Sequence, residues 1–195
     1  TDNHIEKLYK QAEKYPNAGI LSPLHKNENG VEHIPSRSFF FNKETTNSLN
    51  LVNFSGDCSV EHLSGAIMLI NKVNLNKIGF FDENFFLYYE DDDLCIRFKN
   101  AGFENILVHD IVVNHHGGGS IGPPNFKNQW EKNFHFYYSR CYIEKKYFGV
   151  LKSKLMAMNI FLKFFFKLLG HIMLFQLKKI MKDIASFTGA IFFLL

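Results

Sequence analysis

The sequence predicts an α/β domain followed by a helical tail. Two observations carry this. Between residues 3 and 148, short apolar runs of strand character alternate with capped amphipathic segments. Beyond Phe148-Gly149 the texture changes: residues 151–195 hold seven Lys, one acid (Asp183) and no Pro, with Phe, Leu, Ile and Met filling most of the rest. The boundary is therefore expected near 150, giving a domain over 1–150 and a tail over 151–195. The overall charge of +3 hides a basic tail on a mildly acidic body. At 195 residues, 46% hydrophobic and 16% aromatic, the chain has about one domain's length and ample apolar content. That excludes a disordered tail, a collagen-like repeat and a disulfide scaffold. Cys58, Cys95 and Cys141 lie far apart without a C-x-x-C pair, which fits a reducing compartment and argues against a zinc ribbon. The chain opens on Thr1 and runs almost at once into a helical pattern, as expected if it continues upstream.

The elements follow in order. Ile5, Leu8 and Ala12 share a helix face in residues 3–15, and Pro16-Asn17 ends it. Ala18–Ser22 reads as a short buried strand closed by Pro23. Asn29-Gly30 signals a hairpin or surface loop across 25–33, and 34–63 reads as loops and short strands. Residues 64–70 (SGAIMLI) form the strongest strand pattern. Asn71–Ile78 reads as a short helix ended by Gly79. Phe80–Tyr89 is an aromatic loop. Glu90–Ala101 reads as a helix with four acids first, Arg97 and Lys99 last, and Gly102 beyond, an order that complements the helix dipole. Two strands are expected at Phe103–Val108 and Ile111–Asn114, a flexible loop at 115–120, and an aromatic helix at 126–148.

Three features hold the chemistry: the Ser64-Gly65-Ala66 segment, the Glu90–Asp93 helix start, and His115-His116 before Gly117–Gly119. Consecutive carboxylates repel and must be compensated, in part by helix N-terminal N–H groups. Asp93 and Arg97 are four apart and can pair. One carboxylate facing a cleft can act as general base; the plainer alternative is a capped, solvated helix start. Adjacent histidines on a strand point to opposite faces, so only one joins a given site; the alternative is a surface pair beside a glycine turn. Neither a P-loop nor a G-x-G-x-x-G is present.

In order and spacing, Ser64–Ile70, Ile78–Phe86 (IGFFDENFF), Tyr89–Arg97 (YEDDDLCIR), Ala101-Gly102-Phe103 and Val112–Ser120 (VVNHHGGGS) resemble the second half of a family 2 glycosyltransferase, most of all the rhamnosyltransferase-like branch that builds bacterial surface polysaccharides. The resemblance spans roughly residues 3–148. It implies a partial GT-A fold, a mixed sheet with flanking helices whose nucleotide-binding half is missing. It also implies an inverting transfer from a nucleotide-diphosphate sugar to a glycan or lipid-linked glycan acceptor. By this resemblance Asp91 is the catalytic base and Glu90 lies beside the acceptor; Ser64, Gly65 and Asp93 line the substrate cleft. His115, with His116 as fallback, completes the shell of a divalent cation (Mg²⁺ or Mn²⁺) whose D-x-D ligands are expected upstream. Asp82 is expected to fix its loop. A chain with only this half is expected to bind donor poorly and to be inactive alone. Two rivals are a galactosyltransferase-like C-terminal domain and a truncated, non-catalytic glycan- or lipid-binding accessory protein.

Placed at 100° steps, Lys152, Asn159, Lys163, Lys167, His171, Lys178 and Lys182 fall in a wedge of about 140° on a helix otherwise apolar. That is the pattern of an interfacial amphipathic segment. No uncharged run reaches the ~18 residues of a spanning helix. The expectation is peripheral attachment to the cytoplasmic face of the cell membrane, with no nucleic acid as partner; the alternative is a helix folded back on the core.

Overall fold

The computed structural model describes residues 3–26, 32–33, 56–115 and 125–194. Two compact units emerge, residues 1–82 with 90–117 and residues 83–89 with 118–195.

The first unit is a mixed sheet with helices against it, the predicted α/β class and compatible with part of a GT-A fold. Helix α1 (His4–Ala12) starts where the Asn3 side chain accepts the Glu6 N–H. Strand β1 (Ala18–Lys26) is central. On one side it runs parallel to β5 (Glu104–Asn114). Its other side is shared by two antiparallel partners: β4 (Leu69–Ile70) along Ile20–Leu21 and β2 (Glu32–His33) along His25–Lys26. Strand β3 (Cys58–Val60) pairs antiparallel with the far side of β5. The β1–β2 pairing is the expected hairpin; its turn, including Asn29-Gly30, lies outside the described residues, as do 34–55 and His116–Pro124. Helix α2 (Lys72–Ile78) is capped by Asn71, which accepts the Val73 and Asn74 N–H groups. Helix α3 (Glu90–Asn100) completes the unit.

Alternation along the strands builds two cores. Ile20, Leu24 and Leu107 face Leu75, Leu94, Cys95 and Phe98 from α2 and α3. Leu21, Ile106 and Val108 face Leu8 of α1.

Three sequence expectations need correction here. Pro23 does not close β1. It sits beside a register shift, where Pro23 opposes Val108 but Leu24 opposes Val112, so the ladder already has an irregularity that tolerates a missing donor. The two strands expected over 103–114 are one bulged strand for the same reason, and Asp57 Oδ1 accepts the His109 N–H inside the bulge at 2.8 Å. The strand expected over 64–70 shrinks to Leu69–Ile70 because the backbone before it bonds elsewhere: Gly65 N–H to Asp91 and Ala66 N–H to Ser64 Oγ.

The second unit holds α4 (Phe126–Phe148), α5 (Val150–Met173) and α6 (Leu177–Leu194) around Cys141, Ala157, Ile160, Phe164 and Ala190. Segment 83–89 belongs here: Ser139 Oγ donates to the Leu87 carbonyl at 2.9 Å, and Phe85 packs edge-on against Tyr142. The change of texture at Phe148-Gly149 is thus a helix–helix corner within a unit, since α4 packs with the tail helices. The tail is not the single helix expected across 152–182. It breaks at 174–176, where Phe175 takes φ 52° and the Gln176 N–H bonds back to the His171 carbonyl. Lys178 and Lys182 therefore belong to a different helix from Lys152–Lys167. His171 and Asp183, one on each helix, close the pair.

Candidate functional site

Four adjacent carboxylates begin α3, and the structure gives each a different environment. Asp93 is completely buried, with Oδ2 accepting from Arg97 Nε at 2.8 Å. The same guanidinium donates to the carbonyls of Ile78, Gly79 and Phe80, so the pair clamps the end of α2. Asp93, read from the resemblance as substrate-binding, has no exposed surface to offer a ligand; it positions Arg97. Asp92 is buried against His62, its Oδ1 2.8 Å from Nδ1, each side chain 4% exposed. The contact is off the N–H direction, and His62 Nε2 has no hydrogen-bond partner.

Asp91 is half-buried. Oδ2 accepts the Gly65 N–H at 2.8 Å and Oδ1 accepts the Asp92 N–H at 2.9 Å. Gly65 makes room for this: a Cβ there would stand 3.2 Å from Asp91 Cβ, so Asp91 would have to shift by a few tenths of an ångström. Gly65 and Ala66 are exposed and Ser64 half-buried, so the carboxylate is held at an open surface. Ser64 Oγ accepts the Ala66 N–H at 3.4 Å, which leaves its own O–H free to donate. Glu90 has a buried Oε2 without a hydrogen-bond partner. Burial raises its pKa above the usual carboxylate range, against its own backbone N–H, and the charges of Asp91 and Asp92 add to the rise. Just before Glu90, Tyr88 and Tyr89 both have positive φ, 67° and 71°. Such backbone costs about 1–3 kcal/mol per residue and persists where surrounding contacts impose it.

The structure therefore brings Glu90, Asp91, Ser64 and Gly65 together, and the reading of the acids as a solvated helix start does not hold. The contacts His115 makes are with other residues. Its N–H donates to the Lys26 carbonyl and its ring lies 5.3 Å from that of His25. Among the described residues, the side chains whose ligand atoms come close enough to share a metal ion are His62, Asp91 and Asp92. One imidazole and two carboxylates suit a divalent cation in type. Two of these ligand atoms, His62 Nδ1 and Asp92 Oδ1, are buried without a hydrogen bond, and each Asp91 oxygen accepts one backbone N–H. His115 is not among the three. Sequence reasoning missed His62 and the two left-handed tyrosines. Position 62, two residues before Ser64, was the one available hint.

No family model and no solved structure matches the chain. Among curated proteins, an N-acetylglucosaminyl-diphospho-decaprenol L-rhamnosyltransferase of Mycobacterium tuberculosis is 28% identical over 60% of this chain and 44% of its own length. The rhamnosyltransferase WbbL of Escherichia coli is 27% identical over 50% of the chain and 38% of its own length. A low-salt glycan biosynthesis hexosyltransferase, Agl10 of Haloferax volcanii, is 35% identical over 28% of the chain and 17% of its own length. The resemblance read from the motifs is thus matched by sequence similarity, over 28% to 60% of the chain, to rhamnosyltransferases and a further glycosyltransferase. The chain spans less than half the length of these relatives.

Proposed function

We propose that residues 3–115 form the acceptor side of an inverting glycosyltransferase of the family 2 type. The completed catalytic domain transfers rhamnose or another hexose from a nucleotide-diphosphate donor to a glycan or lipid-linked glycan acceptor in bacterial surface polysaccharide synthesis. The observation that carries this reading is the Gly65–Asp91 contact. It joins two motifs 26 residues apart and fixes one carboxylate at an open surface.

The chemistry follows from that carboxylate. Each Asp91 oxygen keeps a lone pair after its backbone hydrogen bond. An acceptor hydroxyl placed within about 3 Å passes its proton to Asp91 as its oxygen attacks the anomeric carbon. The bond from that carbon to the diphosphate breaks, the nucleoside diphosphate leaves, and the single displacement inverts the centre. The two backbone N–H groups hold the base in place, so little reorganisation is needed during the step. The Ser64 hydroxyl and Glu90 flank the acceptor. A divalent cation belongs to this proposal, and no step here depends on it.

The test is Asp91→Asn in the completed domain. The amide keeps the shape of the side chain but cannot take a proton. Transfer falls by about 10³-fold, within the range for losing a general base, while donor binding stays within about twofold. Turnover like that of the wild type refutes the assignment.

The same proposal places the chain peripherally on the cytoplasmic face of the membrane. Helix α5 has the length and mean hydropathy, 1.4 over an 18-residue window that is 11% buried, of a membrane-crossing segment. Lys163 and Lys167 lie in its middle, and each would cost about 3 kcal/mol at the bilayer centre. An interfacial position keeps both at headgroup level, and supports a lipid-linked acceptor.

A further inference from the structure

In the second unit, α4 and α5 line an open cavity of about 470 Å³, within the size range of small-ligand sites. Its polar wall is cationic: Arg140 from α4 and Lys152 and Lys163 from α5, against one acid, Glu144. Glu144 is already engaged by Lys152, whose Nζ lies 3.6 Å from Oε1. Arg140 is half-buried and makes no ion pair among the described residues, so its five donors are available. The other wall is apolar, with Leu155 and Ile160.

Leu155 also belongs to a second feature. On α5 the buried seam is Ser153, Ala157, Ile160 and Phe164. Opposite that seam, at 100° per residue, lie Leu151, Leu155, Met158, Leu162, Phe166 and Leu169, all exposed. A cationic chamber whose apolar wall continues onto an exposed apolar stripe fits an amphiphile better than a soluble anion. An arginine without a carboxylate partner is suited to phosphate, which it binds bidentately.

We propose that the α4–α5 cavity binds the phosphate group of a membrane lipid, with Arg140 and Lys163 on the phosphate oxygens and the lipid chain running out past Leu155. This rests on the membrane part of the proposed function and needs no transferase activity.

The chain is floated with vesicles of phosphatidylcholine containing about 20 mol% of either phosphatidic acid, with an open phosphomonoester, or phosphatidylglycerol, whose phosphate is covered by glycerol. Wild type prefers phosphatidic acid by about tenfold, the loss expected for one or two charge-assisted hydrogen bonds. Arg140→Gln/Lys163→Gln brings that ratio to about one while binding to phosphatidylglycerol persists. Lys154→Gln/Lys179→Gln, exposed lysines outside the cavity, weakens both bindings and keeps the ratio. Circular dichroism confirms that each variant is helical. A wild-type ratio of one, or a ratio the cavity variant retains, overturns the inference and leaves membrane attachment standing. No binding to either vesicle overturns both. Titration with inorganic phosphate separates the sources: binding as tight as to the vesicle, abolishing the preference, identifies a soluble-anion site and overturns the lipid assignment.

Discussion

Glu90 is the carboxyl in the acidic cluster with the least compensation. Asp93 has Arg97, Asp91 has two backbone N–H groups and Asp92 lies 2.8 Å from the His62 ring without a hydrogen bond to it, while Glu90 Oε2 is buried with no hydrogen bond. Its pKa is raised, first by burial and then by Asp91 and Asp92. A carboxyl with a raised folded pKa holds its proton more tightly folded than unfolded. Its contribution is therefore fully present below the ordinary carboxylate range and is lost as pH rises through the folded pKa. Glu90→Gln removes the charge and keeps the shape, so the variant is more stable than wild type by about 1 kcal/mol at pH 7 to 8. That gain vanishes by about pH 4, where both side chains are neutral. Urea midpoints across this range check it; a variant less stable at pH 7.5, or a gain independent of pH, contradicts it. The i,i+4 spacing of Asp93 and Arg97 made their pairing legible in the sequence. What spacing does not encode is burial, which turns a surface pair of a few tenths of a kcal/mol into a clamp on three carbonyls. His62 was not legible because its partner, Asp92, is 30 positions away and no local period links them.

Elements with local signals were legible; those set by distant contacts were not. Helices α1, α2, α3 and α4 each begin or end on a signal that needs only neighbours, as with Asn71 and Gly79 around α2. The failures are tertiary. Ser64–Met68 has strand composition, yet its N–H groups serve Asp91 and Ser64. The α5–α6 break has no Pro or Gly at Leu174–Gln176, so a 100° wheel runs through it unbroken. The break lets α6 fold back against both α4 and α5. Gly189 shows this: a Cβ there would stand 2.4 Å from the Phe134 carbonyl oxygen, so α6 rests almost directly on the α4 backbone. Backbone cannot swing aside as a side chain can. Gly189→Ala therefore forces the helices apart at a cost of about 2–3 kcal/mol, the usual range for overpacking. Hydrogen exchange should localise it, with amides of α4 and α6 exchanging faster and those of β1 and β5 unchanged. Uniform acceleration in both units, or none, would refute this account of the contact.

At the scale of the whole chain, composition singled out the tail, and the structure makes its exposed apolar surface specific. The basic, aromatic tail is not a single amphipathic rod with lysines facing water. It is two helices whose apolar residues are exposed away from their packing seam, with the turn between them apolar as well: Met173, Leu174, Phe175 and Leu177 are all exposed, Phe175 at 89%. Turns are ordinarily polar because they face water, and a soluble monomer rarely exposes so large a continuous apolar surface. The proposed membrane attachment would remove both difficulties by covering this surface with lipid. Phe166 and Phe175 are exposed, while Phe164, two positions from Phe166, is in the core. Phe166→Ser/Phe175→Ser should therefore leave stability in water within about 0.5 kcal/mol. Each ring buried in lipid contributes about 1.5–3 kcal/mol, so the double variant loses at least tenfold in partition onto phosphatidylcholine vesicles. Phe164→Ser instead destabilises the helical unit by about 3 kcal/mol or more, since it removes a buried ring and leaves a hydroxyl among apolar side chains. If the exposed pair lowers stability in water as much as Phe164→Ser does, or if its removal leaves partition unchanged, the apolar surface is covered by protein and the membrane assignment fails.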